Sequence, residues 1–364
     1  MSRKFPRPIK RIVVKVGTSV IATFRMKPRT ARLRDLVRQI VELRARGIEV
    51  VLVSSGAIVL GMGQFKEYKR PTDLASLQAC AAIGQTVLMQ SYIQLFKKFK
   101  SGCAQVLLTW DDFDDRGRYN NARNTLEAIL ERGITPVVNE NDTISTDEIK
   151  FGDNDKLSAL VASLIHADLL LLLSDVEGLY EIKDGQKKLF EEIKDVTKEI
   201  EGVAAGSGDQ NRSKGGMITK LDAVKMATHS NIPCIIAHGE TENVLSRILS
   251  GERIGTYFFE KEEKLLARKH WISFGAKPKG KLIVDDGAKR ALLEGGRSLL
   301  LPGILRWDGH FRQDDVVIVA DQNDLEIARG IINYSVTDLH RIEDKKGKEE
   351  VIHRDCLVFS KKDK

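Results

Sequence analysis

The chain has 364 residues, 42% of them hydrophobic and 30% charged, a composition typical of a soluble globular protein and unlike that of a disordered chain. The length exceeds what one compact core usually needs, so we expect two domains. The net charge of +7 points to an anionic partner, but residues 280–364 hold 15 basic and 16 acidic side chains, which argues against nucleic acid as the main ligand.

Membrane insertion, secretion and metal centres are not expected either. The five leucines Leu169–Leu173 fall far short of the roughly 20 apolar residues that span a bilayer. The basic N-terminus and the apolar "IVVKVGTSVIA" superficially resemble a secretory signal, but Lys15 and Gly17 interrupt the apolar part. Four scattered cysteines without CxxC spacing favour reduced thiols in a cytoplasmic protein, and the histidines form no zinc motif.

The first two-thirds of the chain alternate between strand-like and helix-like patterns. Apolar runs predict strands at residues 11–16 and 48–53, in "CAQVLLT", "GITPVV" and "DLLLLL", and at residues 233–237. Helical periodicity follows in "TARLRDLVRQIVELRARG" and at residues 120–132, 156–166 and 218–230. Near-continuous apolar strands are typical of a parallel sheet covered on both faces. We therefore predict an α/β fold with a doubly wound, mainly parallel sheet sandwiched by helices.

Small and polar residues follow several of these strands, as "GTS", "SSGA", "NEND" and "SDVEG". In an open α/β sheet, ligands bind beyond the carboxyl ends of the strands. The pattern therefore predicts one functional edge built from several loops.

The first loop, "VKVGTSV", places Lys15 near the end of a buried strand and two residues before Gly17. A lysine there is costly unless it meets an anion. A Gly-Thr-Ser turn offers N–H groups and hydroxyls to a phosphate, although an ordinary turn beside a strand-end lysine has the same sequence.

The next two loops also have two interpretations. In "VSSGAIVLGMG", Ser54, Ser55 and Gly56 either cap a helix or bind a carboxylate or phosphate. In "VVNENDT", residues 139–142 either grip an amine or form an Asx-type turn.

Two further stretches precede predicted helices. The carboxylates of "KFGDNDKLSA" fit a helix cap, a metal site, or an anchor for cationic groups. "SGDQNRSKGGMITK" is read as a loop leading into a helix, with Gly215 and Gly216 before Met217. It is similar to a phosphate-binding loop but is not GxxxxGK[ST], which occurs nowhere in the chain.

The pattern changes after residue 260. Residues 261–278 form a charged connector that ends in Lys-Pro-Lys-Gly, and residues 279–364 read as short strands with tight turns and one helix. We expect domains at 1–260 and 279–364, with a linker at 261–278.

In this order, the loops resemble the amino acid kinase family. The matching stretches are "VVKVGTSV", "VSSGAI", "LLTWDDF", "RYNNARNTL", "PVVNENDTI", "EIKFGDNDKLSALVA", "LLLLSDVEGLY" and "KGGMITKLDA", which span about residues 10–260. The remainder resembles a PUA domain. The resemblance implies ATP-dependent phosphorylation of the γ-carboxylate of L-glutamate, the first step of proline biosynthesis from glutamate.

The resemblance also implies roles for individual residues. Lys15 and Lys220 would stabilise the transferring phosphoryl group, and Asp155 would hold both lysines. Glutamate would be bound by Ser55, Asp142 and Asn154, with Gly56 and Ala57 nearby; Asp153 would at most cap a helix. The implied ATP site consists of Lys15, Gly17, Ser174, Asp175, Lys214, Gly215, Gly216, Met217, Ile218, Thr219 and Lys220. No protein metal site is implied, and Mg²⁺ would arrive with ATP.

The implied partners are small molecules and other enzymes. Proline would inhibit at the glutamate site, glutamate-5-semialdehyde dehydrogenase would take the labile acyl phosphate, and the kinase domain would form dimers or tetramers. Two alternatives stay open: a related kinase acting on aspartate, N-acetylglutamate, carbamate or a nucleoside monophosphate, and RNA binding through the PUA-like domain.

Overall fold

A computed structural model describes residues 2–66, 69–144, 154–183, 186–206, 214–261, 272, 278–342 and 350–359. The chain divides into two compact units, Met1–Lys264 and Leu265–Lys364, which are considered separately below. No helix in the described ranges is both long and apolar enough to cross a membrane.

The first unit alternates strands and helices along most of its length. Its strands are β1 (Arg11–Val16), β2 (Glu49–Ser54), β3 (Cys103–Leu108), β4 (Thr135–Glu140), β5 (Leu169–Ser174), β6 (Tyr180–Lys183), β7 (Gln186–Leu189), β8 (Glu192–Ile193), β9 (Cys234–His238) and β10 (Thr256–Phe258). Its helices are α1 (Thr18–Ile21), α2 (Thr30–Ala45), α3 (Ala57–Phe65), α4 (Leu74–Lys98), α5 (Asp111–Asp114), α6 (Arg116–Glu131), α7 (Asp155–Leu164), α8 (Lys198–Gly206), α9 (Lys214–His229) and α10 (Val244–Leu249).

Eight strands form the central sheet in the order β3-β4-β2-β1-β5-β9-β10-β8. Every neighbouring pair is parallel except β9 and β10, which are antiparallel. Strand β1 lies near the centre, where Val16 pairs with Ser54 of β2 and with Leu173 of β5. The carboxyl ends of β1, β2 and β5 therefore meet at one edge, and the prediction of a mainly parallel sheet is confirmed.

The two faces of β1 have different surroundings. Ile12, Val14 and Val16 point into a core shared with α2, α4 and α10. Because side chains alternate along a strand, Lys15 points to the opposite face, against which α7 packs, and α7 in turn packs on α9. Tertiary packing thus brings α7 and α9 to the lysine.

The second unit is mostly strand. A five-stranded sheet has the order β13-β11-β14-β15-β17, and β12 pairs with β16. The strands are β11 (Gly280–Val284), β12 (Leu299–Leu300), β13 (Ile304–Gly309), β14 (Val316–Ala320), β15 (Glu326–Ile331), β16 (Glu350–Ile352) and β17 (Leu357–Phe359). Helices α11 (Asp286–Leu293) and α12 (Val336–Ile342) accompany them, and the unit has its own apolar core.

The structure differs from the sequence prediction at several places. Helix α9 begins at Lys214, four residues before the predicted start, so Gly215 and Gly216 lie in the helix and not in a preceding loop. Asn139 and Glu140 belong to the end of β4 and do not follow it. Asp153 of the predicted cap lies outside the described residues. Asn154 occupies the N-cap position of α7 and makes no side-chain cap hydrogen bond.

Helices α3 and α4 pack so closely that glycine is required at their contact. A Cβ atom on Gly84 of α4 would lie 1.7 Å from the carbonyl oxygen of Ala57. One on Gly61 of α3 would lie 1.9 Å from the carbonyl oxygen of Cys80. Backbone atoms cannot yield as a flexible side chain can, so the two glycines set the separation of the helices.

We expect Gly84→Ala to lower the free energy of unfolding by at least about 2–3 kcal/mol, because the added methyl group must push two helices apart. Chemical denaturation measures the change. The matched control is Gly202→Ala in α8, an exposed glycine where the added methyl group would meet no atom within 4 Å. That substitution should stabilise the protein by about 0.5–1 kcal/mol through helix propensity. Equal effects of the two changes would contradict the packing argument.

Candidate active site

A charged triad of Lys15, Asp155 and Lys220 lies on the face of the sheet covered by α7 and α9. Lys15 Nζ is 2.5 Å from Asp155 Oδ1, and Lys220 Nζ is 3.0 Å from Asp155 Oδ2. All three residues are buried, and Asp155 is 0% exposed. The single carboxylate therefore contacts both ammonium groups, one with each oxygen.

Each member of the triad is held by a different element. Lys15 is the next-to-last residue of β1, Asp155 is the first residue of α7, and Lys220 lies in α9. Lys220 Nζ also donates to the Gly216 carbonyl oxygen at 3.2 Å. The Ser158 hydroxyl donates to the Asp155 carbonyl oxygen at 2.5 Å, within the first turn of α7.

The triad carries a positive excess. Two ammonium groups and one carboxylate leave a net charge of +1 in a buried position. A buried ammonium group is stabilised by nearby anions, so a site with two of them is suited to an anionic ligand. Two ammonium groups held at fixed positions suit the oxygens of a phosphoryl group.

Beside the triad lies a pocket with both polar and apolar lining, called the polar pocket below. It is lined by Thr18, Ser55, Gly56, Ala57, Ile58, Val59, Arg70, Asn139, Glu140, Asp142 and Asn154. The pocket and the triad are adjacent because Asn154 and Asp155 are consecutive residues. All five residues that the family resemblance assigned to glutamate, Ser55, Gly56, Ala57, Asp142 and Asn154, thus line one pocket.

Hydrogen bonds hold the wall of the polar pocket. Asn154 Nδ2 donates to the Ser54 carbonyl oxygen at 2.8 Å and to Asn139 Oδ1 at 2.6 Å. Asn139 Nδ2 in turn donates to Gln85 Oε1 of α4 at 2.8 Å. The Ser54 hydroxyl is hydrogen-bonded to the buried Tyr92 hydroxyl at 3.0 Å. These contacts join the ends of β2 and β4 to the start of α7.

Ser55 and Gly56 form the turn from β2 into α3. Gly56 has φ +100°, a left-handed conformation that glycine adopts without strain, and a Cβ atom there would lie 3.1 Å from Ile21. The Ser55 hydroxyl is buried and has no hydrogen-bond partner among the described residues. A buried hydroxyl at this position can form a hydrogen bond with a group that enters the polar pocket.

Asp142 has an unusual proton affinity. Burial raises the pKa of its carboxyl group from 3.8 to about 6, while the positive charge of Arg70 lowers this pKa and opposes part of the shift. The carboxylate is therefore poorly solvated at neutral pH, and a cationic group in the polar pocket would stabilise it.

The residues assigned to ATP belong to the ends of β1 and β5 and to the start of α9. Ser174 ends β5 and donates to Asp175 Oδ1 at 2.9 Å, with Ser174 buried and Asp175 exposed. The Gly17 N–H donates to the Leu173 carbonyl oxygen at 3.0 Å, so it is not offered to a ligand. A Cβ atom on Gly17 would lie 4.0 Å from Lys15 Nζ.

The remaining assigned residues form the start of α9. Lys214 and Gly215 open the helix, and Met217, Ile218 and Thr219 lead to Lys220. The Thr219 hydroxyl donates to the Gly216 carbonyl oxygen at 3.1 Å, and Ile218 is 44% exposed. The first turn of α9 therefore borders the triad directly.

Some residues of the site had no role in the sequence prediction. Thr18 belongs to the quoted Gly-Thr-Ser turn, so its place in the polar pocket follows a visible signal. Gln85 and Tyr92 support the pocket from α4, and Arg70 comes from the connection between α3 and α4. None of these three stands in a strand-end loop. No group of three or more His, Cys, Asp or Glu suited to a metal ion occurs in the described part of the chain.

Comparison with known proteins adds family information to this geometry. A model described as the amino acid kinase family matches residues 10–238, and a PUA domain model matches residues 280–354.

Curated relatives match nearly the whole chain. A glutamate 5-kinase of Dictyoglomus thermophilum is 47% identical over 96% of this chain and 97% of its own length. One of Thermoanaerobacter sp. (strain X514) is 44% identical with the same coverage. Among solved structures, a UMP kinase from Bacillus anthracis aligns with a TM-score of 0.48 and 17% identity over 70% of this chain and 98% of its own.

We expect Asp155→Asn to lower the free energy of unfolding by about 3–5 kcal/mol, since two ammonium groups would then share a buried site without a counter-charge. Denaturant titration of both proteins measures this. Asp175→Asn is the control, because that side chain is exposed and its amide oxygen can still accept the Ser174 hydroxyl. Its effect should stay within about 0.5 kcal/mol. An Asp155→Asn variant as stable as the parent would show that the carboxylate does not hold the lysines together.

Proposed function

This chain belongs to the amino acid kinase family, and from that premise we propose that it transfers the γ-phosphoryl group of ATP to the γ-carboxylate of L-glutamate. The family and the PUA domain that the sequence motifs indicated are both confirmed. Relatives named glutamate 5-kinase cover 96% or more of the chain. The observation that carries the proposal is the charged triad directly beside a pocket lined by Asp142 and Asn154.

The triad would act on the transferring phosphoryl group. In phosphoryl transfer, negative charge is spread over the three equatorial oxygens, and protein groups contribute mainly by positioning and charge stabilisation. Lys15 and Lys220 supply two ammonium groups that are already desolvated and held by Asp155. Because they need not reorganise during the reaction, their stabilisation of the transition state is large.

The acceptor needs no general base. A γ-carboxylate has a pKa of about 4.3, so it is an anionic nucleophile at neutral pH. One of its oxygens forms a bond to the γ-phosphorus while the bond from that phosphorus to the bridging oxygen of ADP breaks. The products are ADP and an acyl phosphate, and no proton moves.

The polar pocket would bind the rest of glutamate. Its ammonium group would be paired with Asp142, the carboxylate that burial leaves poorly solvated. The Ser55 hydroxyl would donate to the reacting carboxylate. Asn154 donates its side-chain amide to the Ser54 carbonyl oxygen and to Asn139 Oδ1, so it would border this carboxylate and hold the pocket wall in place. Gly56 and Ala57 allow the ligand to approach the backbone at the start of α3.

The nucleotide would lie along Gly17, Ser174, Asp175 and the segment from Lys214 to Lys220. Support comes from the position of these residues at the ends of β1 and β5 and at the start of α9, around the triad. Mg²⁺ would be bound by the phosphate oxygens of ATP and would keep several waters. We assign it no protein ligand, since both oxygens of Asp155 contact lysines.

Further parts of the assignment are proposals of the same kind. We propose a kinase domain at 1–260, a linker at 261–278 and a PUA domain at 279–364, in a cytoplasmic homo-oligomer. Proline would bind at the glutamate site as a feedback inhibitor. Because acyl phosphates hydrolyse readily, glutamate-5-semialdehyde dehydrogenase would take the product directly. The balanced charge of residues 280–364 gives no support to RNA binding.

Trapping the product with hydroxylamine tests the activity. Purified protein with ATP, Mg²⁺ and L-glutamate should yield γ-glutamyl hydroxamate and an equal amount of ADP. Aspartate, N-acetylglutamate, carbamate and UMP are the parallel acceptors. ADP release with one of these and none with glutamate would assign the chain to a different kinase activity.

We predict that Lys220→Ala lowers kcat about 100- to 1,000-fold while glutamate binding largely survives, because the ammonium group would contact the phosphoryl group and not the amino acid. Steady-state ADP release and glutamate titration measure the two effects. Lys225→Ala, in the same helix but paired with Glu201, should have nearly normal kcat. A Lys220→Ala variant with normal kcat would remove this lysine from the reaction.

We predict that glutamate affinity falls as the pH falls through about 6, by roughly tenfold per pH unit, since protonation removes the charge of Asp142. Calorimetric titration without ATP avoids the titration of the nucleotide. Asp142→Asn should weaken binding about 10- to 100-fold at pH 7.5 and abolish the dependence near pH 6. If the variant binds glutamate as tightly as the parent, Asp142 is not in the glutamate site.

A further inference from the structure

The polar pocket is lined by both positively and negatively charged side chains. Arg70 is the one cationic side chain among the described residues that line it, and Glu140 and Asp142 are the acidic ones. An amino acid with a carboxylate side chain brings one ammonium group and two carboxylates. The proposed function assigns the ammonium group to Asp142 and the reacting carboxylate to the triad end, which leaves the α-carboxylate without a partner.

Arg70 belongs to the connection between two helices that pack against each other. It lies between α3, which ends at Phe65, and α4, which begins at Leu74. Asp73 caps α4 by accepting the Ser76 N–H at 2.8 Å, and Pro71 follows Arg70 directly. Because α3 and α4 are in backbone contact, the two ends of the connection are fixed relative to each other.

Arg70 and Asp142 face the same space. Both line the polar pocket, Arg70 as an exposed residue and Asp142 as a half-buried one. The charge of Arg70 also acts on the Asp142 carboxyl group and lowers its pKa. A guanidinium group and a carboxylate on one pocket complement the zwitterionic head of an α-amino acid, whose charges have the opposite order.

The orientation of the acceptor follows from the chain. Asn154 lines the polar pocket and immediately precedes Asp155, so this end of the pocket adjoins the two ammonium groups. The reacting carboxylate belongs at that end. The amino acid head then belongs toward Asp142 and Arg70, the other two charged groups assigned to the acceptor in this pocket.

We propose that Arg70 is a specificity-determining residue that binds the α-carboxylate of the acceptor, opposite Asp142. This inference rests on the proposed function. Arginine suits the role because its planar guanidinium can hold a carboxylate through two parallel hydrogen bonds. The site would thereby distinguish an α-amino acid from an amine or a dicarboxylate that lacks one of the two head charges.

The test uses two acceptors that differ only in the group concerned. Glutamate and 4-aminobutyrate share the ammonium group and the reacting carboxylate, but 4-aminobutyrate has no α-carboxylate. ADP release by the full chain is measured with both acceptors for the parent, Arg70→Met and Arg70→Lys. The control is Arg34→Met, which removes an exposed arginine of α2 outside the pocket.

With Arg70→Met, we expect kcat/KM for glutamate to fall about 10- to 100-fold, mainly through KM, and that for 4-aminobutyrate to stay unchanged. Arg70→Lys should recover part of the loss, because it keeps the charge without the paired hydrogen bonds. A structural defect would instead lower kcat/KM for both acceptors alike, and Arg70→Lys would not recover the loss. The inference is overturned if Arg70→Met loses kcat/KM equally with glutamate and with 4-aminobutyrate, or if its KM for glutamate is unchanged.

The activity of the parent protein with glutamate shows whether a negative result concerns the role of Arg70 alone or the proposed function as well. If it phosphorylates glutamate and Arg70→Met behaves like the parent, the assignment of Arg70 is wrong and the proposed function stands. If the parent itself phosphorylates no glutamate, the proposed function is wrong, and the role of Arg70 is overturned with it.

Discussion

The contact of one buried carboxylate with two ammonium groups determines how the rest of the site is arranged. Asp155 offers a separate oxygen to each of Lys15 and Lys220, so the lysines can stand close together in a region with little water. Without the carboxylate, their repulsion in a medium of low polarity would be severe. With it, the two ammonium groups are held at fixed positions, which suits the phosphoryl transfer that we propose.

The start of α7 connects the two halves of the proposed reaction. Asn154 bonds to the ends of β2 and β4 in the wall of the polar pocket, and the next residue holds the lysines. In the proposed reaction, consecutive residues at the start of α7 would position the acceptor and the phosphoryl group, which suits a reaction that depends on alignment. Asp142 and Arg70 come from connecting segments instead, where a change of acceptor specificity would disturb the core least.

Much of the first unit could be predicted from local patterns. The apolar run of residues 11–16 became β1 with the same bounds, and the helical period after Thr30 became α2. The early start of α9 was missed because the glycines at 215 and 216, which have weak helix propensity, indicated a loop. The short strands β6, β7, β8 and β10 were not predicted, since two to four residues carry little periodicity.

By itself, the sequence determined the alternation of strands and helices, the polar loops at the strand ends and the family that these loops resemble, because each of these is a pattern among neighbouring residues. The family resemblance implied that Asp155 holds Lys15 and Lys220, but only the tertiary structure brought the three side chains into contact and placed Arg70 with Asp142 at one pocket. Those contacts depend on which face of a strand a side chain occupies and on how closely α3, α4, α7 and α9 pack. The raised pKa of Asp142 has the same origin, since burial is a property of the folded chain and not of the residue.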